Sequence, residues 1–364
     1  MDQERAAWLG LASLADILGS RRLTQLIERT GSPVAAWGAS ASLLRELGCK
    51  PDTVTCAVEH RAAFDTAASQ VIMERDHIEL ILQTDSRYPA LLTTIPDAPI
   101  ALFVRGDATL LASRAIAFVG TRKCTQYGEI ATRRIVEPLA RSGTTITSGL
   151  AYGIDAAAHR ACLDAGGRTI AVLGTGIDRV SIYPAAHRAL AEQIITHGGA
   201  LVSEYVPGTE GLKMHFPARN RIVAGMSLGT VVVESPPTSG ALITARFALD
   251  FGREVFAVPG PITSATSAGP HSMLKSGATP VTRAEDIIEA LNLDALFSMS
   301  TPQSKTYDGL AGRILESIAA TPIHIDELQN TVDAAPQDLA SALTTLELDG
   351  VVRDVGGSKY IKVN

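Results

Sequence analysis

Ala115-Ile116-Ala117-Phe118-Val119-Gly120-Thr121-Arg122-Lys123 is the stretch on which the fold assignment turns. Five apolar residues with no polar residue between them are the pattern of a strand covered on both faces, and the glycine after them opens a turn. The same unit returns downstream. Residues 144–147, 169–173, 200–202, 230–233 and 255–258 are short apolar or β-branched runs, each followed by a turn and a stretch with helical spacing. Strands buried on both faces and alternating with helices build a parallel sheet with helices packed on each side. Residues 78–82 and 101–104 read as two further strands that extend it.

The expected fold class is therefore α/β, with an extended Rossmann-like parallel sheet core in residues 71–290. In front of it, residues 1–70 place Leu11, Leu14, Leu18, Leu23, Leu26 and Ile27 at helical spacing, broken by Gly19, Gly31-Ser32-Pro33 and Gly48. A small helical domain is expected there. Gly19-Ser20-Arg21-Arg22 is a degenerate version of the glycine hairpin that presents backbone N–H groups to phosphate, and packing is the plainer role for this module. Residues 291–309 have linker composition around Ser298-Met299-Ser300-Thr301-Pro302-Gln303-Ser304. Residues 310–364 give three helices and then a glycine-flanked pair of strands, which is the order of a winged helix.

The 364 residues carry 32 Lys/Arg against 38 Asp/Glu, a net charge of −6, which excludes a protein that gathers nucleic acid through an overall positive field. Residues 115–290 are net positive, with 16 basic and 14 acidic residues, so a nucleic acid would be held locally. The winged-helix segment is acidic, and its expected recognition helix, residues 337–349, contains neither Lys nor Arg. Phosphate contacts supply much of the affinity of DNA-reading modules, so a protein partner suits this one better. Cys49, Cys56, Cys124 and Cys162 show no C-x-x-C or zinc-finger spacing. No metal or cofactor is expected, and free thiols fit a reducing cytosol. The acidic start, Met1-Asp2-Gln3-Glu4, and the lack of an apolar run of about 18–20 residues lead to the expectation of a cytoplasmic chain without a membrane span.

In open parallel sheets ligands bind beyond the carboxyl ends of the strands, where turns feed helix N-termini. Candidate binding residues are Gly120, Arg122 and Lys123 after the first strand, Ser148 and Gly149 after the second, Gly174 after the third, and Ser239 and Gly240 after the fifth. Glycine lets backbone N–H groups approach a phosphate, although such turns are also glycine-rich for steric reasons alone. Neither G-x-G-x-x-G nor G-x-x-x-x-G-K-[ST] occurs, which disfavours a bound dinucleotide and P-loop ATP hydrolysis. The densest polar cluster is Lys213-Met214-His215-Phe216-Pro217-Ala218-Arg219-Asn220-Arg221. Pro217 suits the first position of a helix, which would set the cluster at a positive dipole end. Cations beside an aromatic ring suit single-stranded nucleic acid, charge for phosphate and a ring face for a base. Lys213, Phe216, Arg219, Asn220 and Arg221 therefore join the candidates. The competing assignment puts Phe216 in the core and pairs the arginines with Glu204 or Glu234. Arg219 and Arg221 lie about 200° apart on a helix, so at least one is expected to be structural. His159, one turn after Asp155, stands without a G-x-S-x-G elbow, an H-E-x-x-H pair or a Cys–His arrangement. No catalytic residue is assigned, and a non-enzymatic protein is expected.

These pieces, in this order, resemble the DprA/Smf family, the DNA-processing proteins of natural transformation. The matching segments are Val119-Gly120-Thr121-Arg122, residues 148–155 with His159, Tyr183-Pro184, Ser203-Glu204, residues 216–221, Val233-Glu234, residues 239–244 and Val258-Pro259-Gly260. Departures are Ala241, where serine is usual, and Gly269-Pro270-His271-Ser272 in place of a G-x-N turn. The resemblance implies a non-enzymatic single-stranded DNA binder that protects incoming DNA, forms a homodimer through its Rossmann-like domain and loads the RecA recombinase. It also implies a sterile-alpha-motif-like (SAM-like) domain in front, and it gives Arg122, Lys213 and Phe216 the phosphate and base contacts. A rival of another class is a nucleotide-binding protein or N-glycosidic nucleotide hydrolase related to lysine-decarboxylase-like proteins. Their P-G-G-x-G-T-x-x-E motif is met here only by Pro237-Thr238-Ser239-Gly240-Ala241-Leu242-Ile243-Thr244, without the glutamate. A transcription factor acting through the winged helix is the third reading, weakened by a recognition helix without Lys or Arg.

Overall fold

The computed structural model describes residues 3–293, 307, 309–318, 322–348 and 351–362. Among them, nine strands form one sheet: β1 (Ile78–Leu82), β2 (Ala101–Gly106), β3 (Ala115–Val119), β4 (Thr145–Ser148), β5 (Thr169–Val172), β6 (Ala200–Ser203), β7 (Gly229–Val232), β8 (Glu254–Ala257) and β9 (Thr279–Pro280). Their order is β1-β2-β6-β5-β4-β3-β7-β8-β9. The seven strands from β6 to β9 are mutually parallel, and β2 runs antiparallel to both β1 and β6. The expected parallel core is present, but it does not extend to the added edge, where β2 runs backwards.

Side-chain parity explains why the apolar runs carry no polar alternation. All five residues of β3 are buried. Ile116 and Phe118 join one core with Ile135, Leu139, Ala158 and Ile287, while Ala117 and Val119 join the opposite core with Ile222, Val223 and Ala245. Val231 and Val232 of β7 divide in the same way. Both faces are covered by helices, so both parities are apolar.

Seven helices, from Gln3–Ser13 to Thr66–Asp76, precede the sheet. Ser32, Ser40 and Asp65 cap three of them, accepting from the N–H groups of Ala35, Leu43 and Ala68. Leu9, Leu23, Leu26 and Leu44 form a core that runs on into Phe103, Leu173, Ile177 and Ile182 of the sheet body. The helices and the sheet thus belong to one compact unit within residues 1–300. The expected boundary at residue 70 falls inside the helix Thr66–Asp76.

A second unit lies within residues 301–364. Its helices are Gly309–Ser317, Ile325–Val332 and Pro336–Leu348. The strand Lys359–Lys362 pairs with both Val352–Asp354 and Ile323–His324, so the winged helix carries a third short strand beyond the two expected. Ile314, Leu328, Leu339, Leu343 and Val352 fill its core. Of the expected linker 291–309, residues 294–306 and 308 lie outside the described residues. No described helix is long and apolar enough to cross a membrane.

Candidate functional site

From β3 the chain crosses to β4 on one side, while β7 lies on the other, so the strand order reverses between β3 and β7. Such a switch point leaves a crevice beyond the strand ends. A cleft of about 650 Å³ lies there, lined by turns from four strands. Gly120 and Arg122 come from the β3 turn, and Gly149, Ala151 and Asp155 from the β4 turn. Lys213, Phe216, Arg219 and Asn220 lie on the segment after β6, and Ser239 and Gly240 follow β7.

Close backbone contacts fix these turns. Thr121 N–H donates to the Glu234 carbonyl at 2.6 Å, and Ile154 N–H donates to the Thr121 carbonyl at 3.2 Å. Gly153 has φ +75°, and a Cβ there would stand 2.1 Å from Thr121 O, so no side chain fits. Leu150 takes φ +58° and is fully buried, and its carbonyl meets His187 Nδ1 at 2.8 Å. The Asp155 carboxylate accepts the N–H groups of Gly149 and Ala151 at 3.1 and 3.3 Å. Arg219 completes the clamp by donating to the Gly149 carbonyl at 2.6 Å and to the Val172 carbonyl. Burial raises the Asp155 carboxyl and lowers the Arg219 guanidinium, and the opposite charge of each counters the shift. Glu234 accepts from Thr125 N–H and from the hydroxyls of Thr125 and Thr266. It thereby holds the N-cap of the helix Gln126–Arg141.

Two cations and two rings remain at the mouth. Arg122 and Lys213 are exposed. The Arg122 guanidinium lies 5.9 Å from the centroid of the half-buried Phe216 ring, and Tyr183, 51% exposed, tilts against the same ring at 5.4 Å. Tyr152 stands beside them, edge-on to His187 at 4.8 Å. Among the residues lining the cleft, Asp155 is the acidic one, and its carboxylate is engaged as above. The arrangement offers charge and ring faces to an anionic, aromatic ligand without a free acid or base aimed into it.

The structure brings together Gly120, Arg122, Gly149, Lys213, Phe216, Arg219, Asn220, Ser239 and Gly240 on this cleft. It places the other candidates elsewhere. Arg221 pairs with buried Glu204 at 2.6 Å, and Ser148 is fully buried, donating to the Phe118 carbonyl at 2.6 Å. Gly174 backs Phe216 from below, where a Cβ would lie 3.2 Å from the ring, and Lys123 is exposed outside the lining. Pro217 is the third rather than the first residue of its helix, His215–Gly225, because the turn at Leu212 feeds the helix two residues earlier. His159 does not work with Asp155. It is fully buried with Nδ1 2.7 Å from Thr169 Oγ1, and burial pushes it down to about 3. Tyr183 and Tyr152 were not among the sequence candidates. Their signal in the sequence is an aromatic residue beside a turn former, Pro184 or Gly153.

A protein-family model described as DNA recombination-mediator protein A matches residues 79–292, and one described as the DprA winged helix domain matches residues 299–358. Protein Smf of Escherichia coli (strain K12) is 40% identical over 298 residues, covering 80% of this chain and 79% of that protein. DNA processing protein DprA of Streptococcus pneumoniae is 44% identical over 204 residues, covering 56% of this chain and 71% of that protein. The X-ray structure of the S. pneumoniae protein aligns with a TM-score of 0.67 at 34% identity, over 79% of this chain and 98% of that one. DNA processing protein A of Helicobacter pylori, solved for its single-stranded DNA binding mode, aligns with a TM-score of 0.53 at 28% identity, over 60% of this chain and 96% of that one. With both of its units matched in order and relatives aligned across most of its length, the chain belongs to the DprA/Smf family of DNA-processing proteins.

Proposed function

We propose that the switch-point cleft binds single-stranded DNA, and that the protein protects incoming strands and passes them to the RecA recombinase in transformation and recombination. The observation that carries this reading is the placement of exposed Arg122 and Lys213 around the Phe216 and Tyr183 rings. Phosphates meet the cations, and a base stacks on a ring. The H. pylori relative solved for its single-stranded DNA binding mode supports it. In this reading the role is binding without catalysis, in the cytoplasm; Gly240, with open space where a Cβ would stand, lets the backbone approach the strand, while Gly120 and Gly149 make room for Ile154 and Arg219 and so shape the turns behind the cleft. The homodimer through the Rossmann-like unit and the RecA contact rest on family membership. The acidic recognition helix of the winged helix is assigned to a protein contact. Arg122→Ala and Lys213→Ala are expected to weaken binding to a fluorescent oligo-dT several-fold while leaving the thermal transition in place. Wild-type affinity in both folded variants would remove this cleft as the site.

A further inference from the structure

The helix that carries Phe216, His215–Gly225, is anchored at three points. Arg219 holds it to carbonyls at the ends of β4 and β5, and Arg221 holds it to Glu204 after β6. Both anchors come from the sheet body. The third acts on the first residue of the helix and comes from the N-terminal helices. His215 is buried, with its ring stacked on Tyr205 at 4.1 Å, and its Nε2 lies 2.9 Å from Asp16 Oδ2, a close approach that is not aligned as a hydrogen bond. Asp16 belongs to the helix Ala15–Leu18.

The tautomer of His215 links that contact to the mouth of the cleft. Leu212 N–H donates to His215 Nδ1 at 3.4 Å, and His215 N–H donates back to the Leu212 carbonyl at 3.0 Å. An imidazole nitrogen that accepts carries no proton, so the ring proton sits on Nε2, which faces Asp16. A carboxylate at Nε2 favours that tautomer and leaves Nδ1 free to hold the turn at Leu212. Lys213 is the next residue, and Phe216 follows His215.

We propose that Asp16 is a positioning residue of the DNA site, which makes the N-terminal helical module a working part of that site rather than an appendage to it. The inference rests on the single-stranded DNA reading of the cleft. Its sign separates it from simple electrostatics. Removing a negative charge near a polyanion site tightens binding through the Coulomb term, whereas loss of positioning weakens it.

The test is the affinity of the full chain for fluorescent oligo-dT with Asp16→Ala, Asp16→Asn, Asp16→Glu and Phe216→Ala, alongside hydrogen exchange at the Leu212 amide. Asp16→Ala is expected to bind about 3- to 10-fold more weakly and to expose the Leu212 amide to faster exchange. Asp16→Asn keeps an oxygen of the same reach beside Nε2 and should recover much of the binding lost in Asp16→Ala. Asp16→Glu keeps the charge but displaces the carboxylate, and it should fall between; it stands in for Asp16→Ala if that variant does not fold. Unchanged or tighter binding in the Ala and Glu variants, with Phe216→Ala still weak, overturns the positioning role and leaves the site assignment intact. Wild-type affinity in Phe216→Ala overturns the site assignment itself, and this inference with it.

Discussion

Phe216 and Arg219 sit three residues apart on one helix and do opposite jobs. The ring is half-buried at the mouth, beside Arg122 and Tyr183, and so can take a partner from solvent. The guanidinium is 5% exposed and bonds to the carbonyls of Gly149 and Val172 at the strand ends. Lining a cleft is therefore not the same as serving its ligand. Arg219→Ala would leave the Gly149 and Val172 carbonyls without this donor and Asp155 without its nearby countercharge. Breaking a buried charged network of this kind costs about 3–5 kcal/mol. Denaturant titration of Arg219→Ala should show a loss of that order, and a variant as stable as wild type that binds DNA more weakly would make Arg219 a ligand contact instead.

Elements differ in how openly their sequence announces them. β3 is legible because a strand covered on both faces needs apolar residues at both parities, and Ala115–Val119 supplies them. β9 is not, because Thr279 and Pro280 form a strand only through pairing with Phe256 and Ala257. Nothing in β2 encodes its reversed direction, and Arg105 is buried there only because Glu192 and the Asp76 carbonyl reach it from distant segments. The site divides in the same way. Lys213 and Phe216 are legible from residue chemistry, whereas Tyr183 meets Phe216 only once the fold joins two segments 33 residues apart. His159 shows what a local pair conceals: its helix, Ile154–Asp164, turns it toward Thr169 and away from any ligand. Thr169 Oγ1 donates to the Ile146 carbonyl, so His159 Nδ1 must donate to Thr169, and Nε2 is left buried with no partner. The imidazole stays neutral in the folded chain down to about 3, while in the unfolded chain it takes up a proton below 6.5. Its contribution to stability is therefore full above pH 6.5 and falls as the pH drops below it, by about 1.4 kcal/mol per pH unit. Urea titrations at pH 7 and pH 5 should differ by roughly 2 kcal/mol from this group. His159→Gln should lose most of that difference, and an unchanged difference in a folded variant would refute the assignment.

At the scale of the molecule, a chain of net charge −6 presents a few cations at one crevice. The turns of β3 and β4, the helix after β6 and the turn after β7 meet there because the sheet reverses its order between β3 and β7. The helical module adds a hold on that helix from outside the sheet. Such a site should prefer a flexible strand with open base faces to a duplex, and it should depend on salt only modestly. The measurement that tests this most directly is the equilibrium affinity of wild type and Phe216→Ala for fluorescent oligo-dT and for a duplex of equal length, at two salt concentrations. With about 3–5 phosphate contacts, log K for the single strand should fall by roughly 2–3.5 per decade of salt. Wild type should prefer the single strand, and Phe216→Ala should bind it about 5- to 100-fold more weakly, the loss of one stacked base. Equal affinity for strand and duplex, or a folded Phe216→Ala variant that binds as wild type does, would contradict the account.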